Sequence, residues 1–122
     1  MISAYAAQAV LYGLRPTIGD SWTLAASAVE ATLTLHKAGM YLITNHGPDP
    51  VNLKMLPPNS SDAADTNDFA LFPVGSGDRS EICVLITSGQ RRTLIEGPNV
   101  LHAICAAGNT ASLRATLVTR HS

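Results

Sequence analysis

The chain has 122 residues, a net charge of −1 at neutral pH and a hydrophobic content of 46%. This length suits one domain that can bury a core without metal or disulfide support, and the apolar fraction excludes an intrinsically disordered chain. Charged residues make up 14% of the sequence, against about 25% in a typical soluble domain. The longest basic run is Arg91-Arg92, too short to neutralise several phosphates of a nucleic acid. The low charge instead favours a surface that protein partners partly cover.

An N-terminal arm or short helix is predicted over residues 1–20, and Pro16 and Gly19 separate it from the rest of the chain. Its first basic residue, Arg15, follows the apolar run, which argues against a signal peptide. No apolar run reaches the roughly 18 residues of a membrane-crossing helix, so no membrane partner is expected. An apolar arm must pack against something: we expect a neighbouring subunit or a partner surface, with the chain's own domain as the alternative. The residues expected to make these contacts are Tyr5, Val10, Leu11 and Tyr12.

The pattern over residues 21–35 fits two kinds of secondary structure. Trp22, Ala26, Val29 and Leu33 would share one face of a helix, whereas the second half of the segment alternates apolar and polar residues as a strand does. The closing Thr-Leu-Thr-Leu favours a strand, because β-branched residues are better accommodated there. Trp22 is expected to anchor the core or an interface, and we include it among the candidate contact residues.

The middle of the chain is predicted to hold three strands and one long loop. Residues 40–45 and 51–55 are expected to pair as a hairpin around a loop that contains two prolines. Residues 56–68 form the longest loop. A short strand follows over residues 69–74, and Pro73 places it at the edge of a sheet or at the end of the strand.

The C-terminal part is predicted to form further strands separated by turn residues. Their ranges are 80–87, 91–96, 100–107 and 112–120. The last segment alternates cleanly, which puts one set of side chains on a core face and the other in solvent. Each core side chain contributes about 1.5–3 kcal/mol on burial. The side chains expected in the core are Ile82, Val84, Ile86, Leu113, Ala115 and Leu117.

These segments together predict an all-β fold. About eight short, closely spaced strands are typical of an antiparallel β-sandwich or a jelly-roll-like barrel. Glycine, proline or asparagine lies at nearly every junction between them. The predicted organisation is therefore an arm over residues 1–20 and a β-sandwich domain over residues 21–122.

His46 and Asp49 are the strongest candidates for catalysis, because an imidazole beside a carboxylate can be oriented for acid–base chemistry. A nucleophile would also be needed, and the serines lie in no Gly-x-Ser-x-Gly frame. A turn stabilised by aspartate and proline explains both residues. We therefore predict no catalytic residue, no cofactor and no enzyme activity.

Two further groups of residues have side chains that could form a metal site or a disulfide. Asp62, Asp65 and Asp68 can supply oxygen ligands, yet their spacing does not match a calcium-binding loop, and a solvated polar loop is the simpler interpretation. Cys83 and Cys105 lack metal-ligand spacing and sit among apolar neighbours. Buried thiols are expected there, with a cross-strand disulfide as the alternative. No metal site is predicted.

Four arginines lie near the C-terminus: Arg91, Arg92, Arg114 and Arg120. If consecutive strands pair as neighbours, some of these side chains share one solvent-facing side. They can serve solubility and edge protection, or contact an acidic protein surface. Arg91 and Arg92 are kept as candidate contact residues on the second interpretation.

Several stretches together resemble a known group of proteins. They are Ala38-Gly39-Met40-Tyr41-Leu42-Ile43, Val51-Asn52-Leu53, and residues 69–77, 101–108 and 113–120. Over residues 38–120 the chain resembles small β-sandwich structural proteins of tailed bacteriophages, in which a Gly-x-Tyr strand, a Phe-x-Leu-Pro-x-Gly turn and a final hairpin recur. Capsid cement, or decoration, proteins are members of this group. The long Asp-rich loop and the Gly97-Pro98-Asn99 break depart from its pattern.

The resemblance implies a non-enzymatic virion protein. It would bind the major capsid protein on the outer surface of an icosahedral head, as a small homo-oligomer and most simply a trimer, and the group has no catalytic residues to transfer. A neck, tail or fibre-attachment subunit is the alternative among structural proteins. A carbohydrate-binding β-sandwich is the alternative of another class, but such modules present exposed aromatic rings and only 5% of this chain is aromatic.

Overall fold

The computed structural model describes residues 20–88, 95–96 and 98–120. These residues form nine β-strands and no helix, which confirms the all-β prediction. The strands are β1 (Ser21–Ala26), β2 (Ala31–Thr34), β3 (Gly39–Pro48), β4 (Val51–Leu56), β5 (Phe69–Leu71), β6 (Glu81–Ser88), β7 (Ile95–Glu96), β8 (Val100–Ile104) and β9 (Ala111–Arg120). The predicted arm over residues 1–20 lies outside the described part except for Asp20.

The nine strands make two antiparallel sheets. The five-stranded sheet has the order β1-β9-β3-β6-β7, and the four-stranded sheet has the order β2-β8-β4-β5. The two sheets pack face to face around one cluster of apolar side chains, so the fold is a β-sandwich. Fully buried members from both sheets include Tyr41, Ile43, Leu71, Leu101 and Leu117.

The ambiguous segment 21–35 is two strands, so its helical alternative is wrong. β1 pairs with β9 in one sheet and β2 pairs with β8 in the other. Between them, the amide of Val29 donates to the Ser27 side-chain oxygen at 3.2 Å, a local turn that competes with helix formation. Val29 is 77% exposed, because it belongs to this turn and not to a face of β2.

The predicted hairpin between residues 40–45 and 51–55 is also wrong. β3 pairs with β6 and β9, whereas β4 pairs with β5 and β8 in the opposite sheet. The two residues between β3 and β4 carry the chain across the sandwich, and the amide of Asp49 donates to the carbonyl of Thr110 at 3.0 Å there. The final hairpin of the pattern that the chain resembles is also not formed here, because β8 and β9 lie in different sheets.

The predicted faces of the C-terminal strands are largely confirmed. Leu113, Ala115 and Leu117 are buried, while Arg114 on the opposite face is exposed. In β6, Ile86 is fully buried. The two remaining predicted core residues of that strand, Ile82 and Val84, are partly buried and pack against the core. The short strand β5 lies at the edge of its sheet and ends before Pro73, as predicted.

Asn45, an amide side chain with no exposed surface, links the two sheets. Its Nδ2 atom donates to the carbonyls of Leu71 at 3.0 Å and Asp49 at 2.9 Å, and its Oδ1 atom accepts from the amide of Gly47 at 2.8 Å. A buried amide is tolerated when such partners satisfy it. The crossing from β3 to β4 is therefore held at a defined geometry.

Candidate functional site: the outer face of the five-stranded sheet

The outer face of the four-stranded sheet is partly covered by the chain itself. The long loop over residues 57–68 lies there, because Glu30 accepts a hydrogen bond from the amide of Ala64 and Asn52 donates to the carbonyl of Asp68 at 2.9 Å. His102 is only 8% exposed, although its neighbours in β8 point into the core, and its Nδ1 atom is 3.2 Å from a Glu30 carboxylate oxygen.

The outer face of the five-stranded sheet is different. Ile86 and Tyr41 point into the core, so alternate residues on β6 and β3 point outward. Leu85 lies opposite Met40, and Cys83 lies opposite Leu42. No described segment covers Leu85, whose exposed fraction is 51%.

These side chains form one apolar patch. Met40 and Leu42 are half-buried and Cys83 is exposed. The half-buried Val118 of β9 lies beside them, at a bulge in the pairing of β3 with β9. We call Met40, Leu42, Cys83, Leu85 and Val118 the apolar outer face.

A polar row borders the apolar outer face at one end. The strand registers place Thr23 opposite Arg114, Arg114 opposite Thr44, and Thr44 opposite Glu81. Arg114 and Glu81 are both exposed. An apolar centre with a polar, charged rim is the usual anatomy of a protein–protein contact surface.

One of the sequence-predicted contact residues lies in the described part of the chain. Trp22 belongs to the inner face of β1, packs against the core, and has its ring centroid 5.8 Å from that of Tyr41. Its predicted contact with a partner stays a prediction. The other predicted contact residues, Tyr5, Val10, Leu11, Tyr12, Arg91 and Arg92, lie outside the described residues.

Sequence reasoning did not single out the apolar outer face. Residues 80–87 are a nearly unbroken apolar run, and such a run is typical of a strand buried on both faces. Ile82, Val84 and Ile86 account for one face only. The apolar residues left on the other face, Cys83 and Leu85, were the available signal.

His46 and Asp49, the candidates for catalysis, lie at the end of β3 and in the crossing from β3 to β4. His46 is exposed, and the Oδ2 atom of Asp49 accepts a hydrogen bond from the amide of Thr110 at 3.0 Å. Asp49 thus fastens the crossing from β3 to β4 to the start of β9, which is a structural role.

In the loop over residues 57–68, aspartate side chains accept hydrogen bonds from backbone amides of the same loop. The Oδ2 atom of Asp68 accepts from the amide of Asp65 at 2.8 Å, and the Oδ1 atom of Asp65 accepts from the amide of Asn67 at 2.7 Å. Within residues 20–88, 95–96 and 98–120, no three acidic, histidine or cysteine side chains are placed to hold a metal ion.

The two cysteines do not form a disulfide. Cys105 is buried as predicted, but the expectation of burial is wrong for Cys83, which points outward from β6. Burial raises the pKa of the Cys105 thiol above its ordinary value, and the nearby Asp49 carboxylate raises that pKa further.

Comparisons with family models, with curated proteins and with solved structures found no match. In the part of the chain that the structure describes, no helix has the length and apolar character needed to cross a membrane.

Proposed function

We propose that this chain is a non-enzymatic structural subunit that is fixed to a larger protein assembly through its apolar outer face. The observation that carries the proposal is the exposure of Leu85 beside Met40, Leu42 and Val118 on one side of a sandwich. The opposite outer face is partly covered by the loop over residues 57–68. A patch of this kind, with a polar row along one end, suits burial against a partner protein.

The assembly that we propose is the icosahedral head of a tailed bacteriophage. The resemblance of residues 38–120 to phage β-sandwich structural proteins supports this choice, and so does the low charged fraction of 14%. On this proposal the partner is the major capsid protein, and the chain lies on the outer surface of the virion as a capsid cement protein.

A small homo-oligomer, which we propose to be a trimer, makes such a cement protein effective. One contact of ordinary size buries only about 800 Å² on each partner. Linking three copies makes the second and third contacts intramolecular, which raises retention without any new chemistry. Because the cement protein binds the assembled shell and not its separated subunits, it stabilises the shell by mass action.

Sedimentation with heads tests this proposal. Heads of the virus whose genome encodes this chain are stripped of the protein, mixed with purified protein and pelleted. The proposal predicts that the protein pellets with the heads and raises the temperature at which they break. Protein that stays in the supernatant at every concentration contradicts it.

Sedimentation equilibrium of the purified protein distinguishes the alternative within structural proteins. A mass of three chains fits a cement protein. A ring of six or twelve chains would instead indicate a neck or tail subunit, and would contradict the head assignment.

A further inference from the structure

The turn between β1 and β2 carries Val29, the most exposed large apolar side chain in the described part of the chain. Val29 is 77% exposed, and the neighbouring Ala28 is exposed as well. The carbonyl of Ser27 accepts a hydrogen bond from the amide of Cys105 at 2.7 Å, and the Ser27 side-chain oxygen accepts one from the amide of Val29 at 3.2 Å. Ala28 and Val29, which we call the apolar turn, are therefore presented to solvent in a fixed position.

An apolar groove of about 160 Å³ lies between the two sheets. At its edge Phe69 is 37% exposed. A cavity of about 150 Å³ lined by aliphatic and aromatic residues accepts a benzene-sized group, so this groove has room for the side chains of a valine and an alanine. The apolar side chains that line it include Ile43, Leu53, Met55, Phe69, Ile82 and Val84.

We propose that the apolar turn of one copy of this chain seats in the groove of a neighbouring copy. An exposed apolar side chain and a separate apolar pocket on the same protein are the two halves of a head-to-tail contact between copies. Seating Val29 in the groove removes apolar surface from water on both copies. This inference rests on the homo-oligomer proposed above and names the residues that join its subunits.

The apolar turn cannot reach the groove of its own chain. It joins β1 and β2, the edge strands of the two sheets, whereas the groove lies against β5 at the opposite edge of the four-stranded sheet. Three strand spacings, or roughly 14 Å, separate β2 from β5, and the packed core fills the space between them. The hydrogen bond from Cys105 to Ser27 holds the turn at its own edge. The occupant of the groove therefore comes from a second copy.

Opposite charges border the two surfaces. Glu30 directly follows the apolar turn, and the exposed Asp62 and Asp65 belong to the loop that Glu30 holds by a hydrogen bond. On the other side of the contact, Lys54 lines the groove, and the guanidinium of Arg79 lies 4.2 Å from the ring centroid of the exposed phenylalanine. An acidic surface around the turn and a basic one around the groove favour the encounter of two copies in this orientation.

The proposed contact is heterologous, because it joins two different surfaces. Val29 lies beyond the ends of β1 and β2, whereas the groove opens at the side of the sandwich, where the edge strand β5 exposes Phe69. Successive copies are therefore rotated relative to one another, and a head-to-tail contact whose rotation closes gives a ring. The trimer proposed above is the smallest ring in which each copy uses its two surfaces with two different neighbours.

Sedimentation equilibrium of full-length variants tests the proposal. The test variants are Val29→Asp, which places a charge on the apolar turn, and Val84→Phe, which fills the groove. The matched control is Val74→Asp, since Val74 is an exposed valine in a different turn. Urea unfolding followed by the fluorescence of Trp22 checks that each variant is folded, and Ile82→Phe takes the place of Val84→Phe if that variant does not fold.

The proposal predicts that the wild-type protein and Val74→Asp both have the mass of three chains. Each test variant should have a dissociation constant at least roughly tenfold higher than that of the wild type, because it loses the burial of Val29. A wild-type protein that is monomeric at every concentration overturns the proposal. A test variant that holds together as tightly as the wild type also overturns it.

Mixing the two test variants distinguishes a head-to-tail contact from any other. Val29→Asp keeps its groove and Val84→Phe keeps its apolar turn, so one chain of each forms a pair through a single contact. The δ1 methyls of isoleucine are labelled in Val29→Asp, so Ile82 reports on the groove and Ile104 of β8 on a position outside it. Adding unlabelled Val84→Phe should move the Ile82 resonance and leave Ile104 unchanged, whereas adding unlabelled Val29→Asp should move neither. No movement of Ile82, or equal movement with both additions, overturns the proposal.

These outcomes are separate from the proposed binding to heads. The measurements of mass and mixing contain no heads, and the apolar outer face uses Leu85 and its neighbours instead of the groove. If the variants behave unlike the predictions while the protein still pellets with heads, the subunit contact is wrong and the binding to heads stands. If the variants behave as predicted while the protein stays in the supernatant, the binding to heads is wrong and the subunit contact stands.

Discussion

Replacing Asn45 by alanine is predicted to be among the most damaging polar substitutions in this protein. The side chain makes three hydrogen bonds, of 2.8, 2.9 and 3.0 Å, at a position with no exposed surface. Each is worth about 1 kcal/mol net, and a buried group that loses its partner costs about 1–3 kcal/mol more. We therefore expect Asn45→Ala to lower the free energy of unfolding by about 3–5 kcal/mol.

A matched control isolates the contribution of burial. Asn52 makes a single side-chain hydrogen bond, to the carbonyl of Asp68 at 2.9 Å, in a partly exposed position. Asn52→Ala is expected to cost about 1 kcal/mol. Asn45→Asp adds a test of the donors, because a carboxylate cannot donate to the carbonyls of Leu71 and Asp49. It should be at least as destabilising at neutral pH as Asn45→Ala.

Urea unfolding followed by fluorescence measures these changes. Trp22 is the one tryptophan in the sequence and packs against the core, so its emission reports on the sandwich. A marginal stability of about 5–15 kcal/mol is typical, so a loss of this size is readily resolved. If Asn45→Ala costs no more than Asn52→Ala, the assignment of Asn45 as the link between the sheets is wrong.

Two further predictions concern the backbone at Gly47 and the buried thiol. Gly47→Ala should lower the free energy of unfolding more than Gly108→Ala does. Both glycines have a positive φ, which costs an alanine about 1–2 kcal/mol, but only at Gly47 would the added Cβ also meet a proline side chain, at 3.2 Å. Equal losses in urea unfolding would contradict this. Because burial and Asp49 raise the pKa of Cys105 in the folded state, its contribution to stability is present below the ordinary thiol pKa and is lost as pH rises through the folded value. The alkaline fall in stability should shrink in Cys105→Ala and persist in Cys83→Ala.

The fold class could be predicted from the sequence because it depends on local patterns. Alternation in residues 112–120 and turn residues at nearly every junction are properties of short stretches, and they predicted strands and faces correctly. Pro73 marked the end of an edge strand for an equally local reason, since proline cannot donate to a sheet ladder.

The pairing of strands could not be predicted in the same way. Residues 40–45 and 51–55 have the alternation and the short connection of a hairpin, yet the chain crosses to the other sheet between them. That crossing depends on Asn45 meeting Leu71 and on Asp49 meeting Thr110, contacts between residues distant in sequence. No local pattern contains this information.

The candidate site was missed because it depends on which side of a strand is left uncovered. Alternation along β6 shows that Leu85 and Val84 point to opposite faces, but not which face a second sheet covers. Which face of β6 is covered is determined by the pairing of β6 with β3 and by the position of the core between the sheets.

Pelleting of two lysine variants with viral heads tests the central claim most directly. Leu85 and Val74 are exposed to nearly the same extent, 51% and 56%, but Val74 lies in a turn away from the apolar outer face. Fully burying a leucine contributes about 1.5–3 kcal/mol, and about half of the Leu85 surface is left to bury, so Leu85→Lys should weaken binding to heads by roughly 4–10-fold, while Val74→Lys should bind as wild type does. Equal binding by both variants, or equal loss in both, would contradict a docking role for this face.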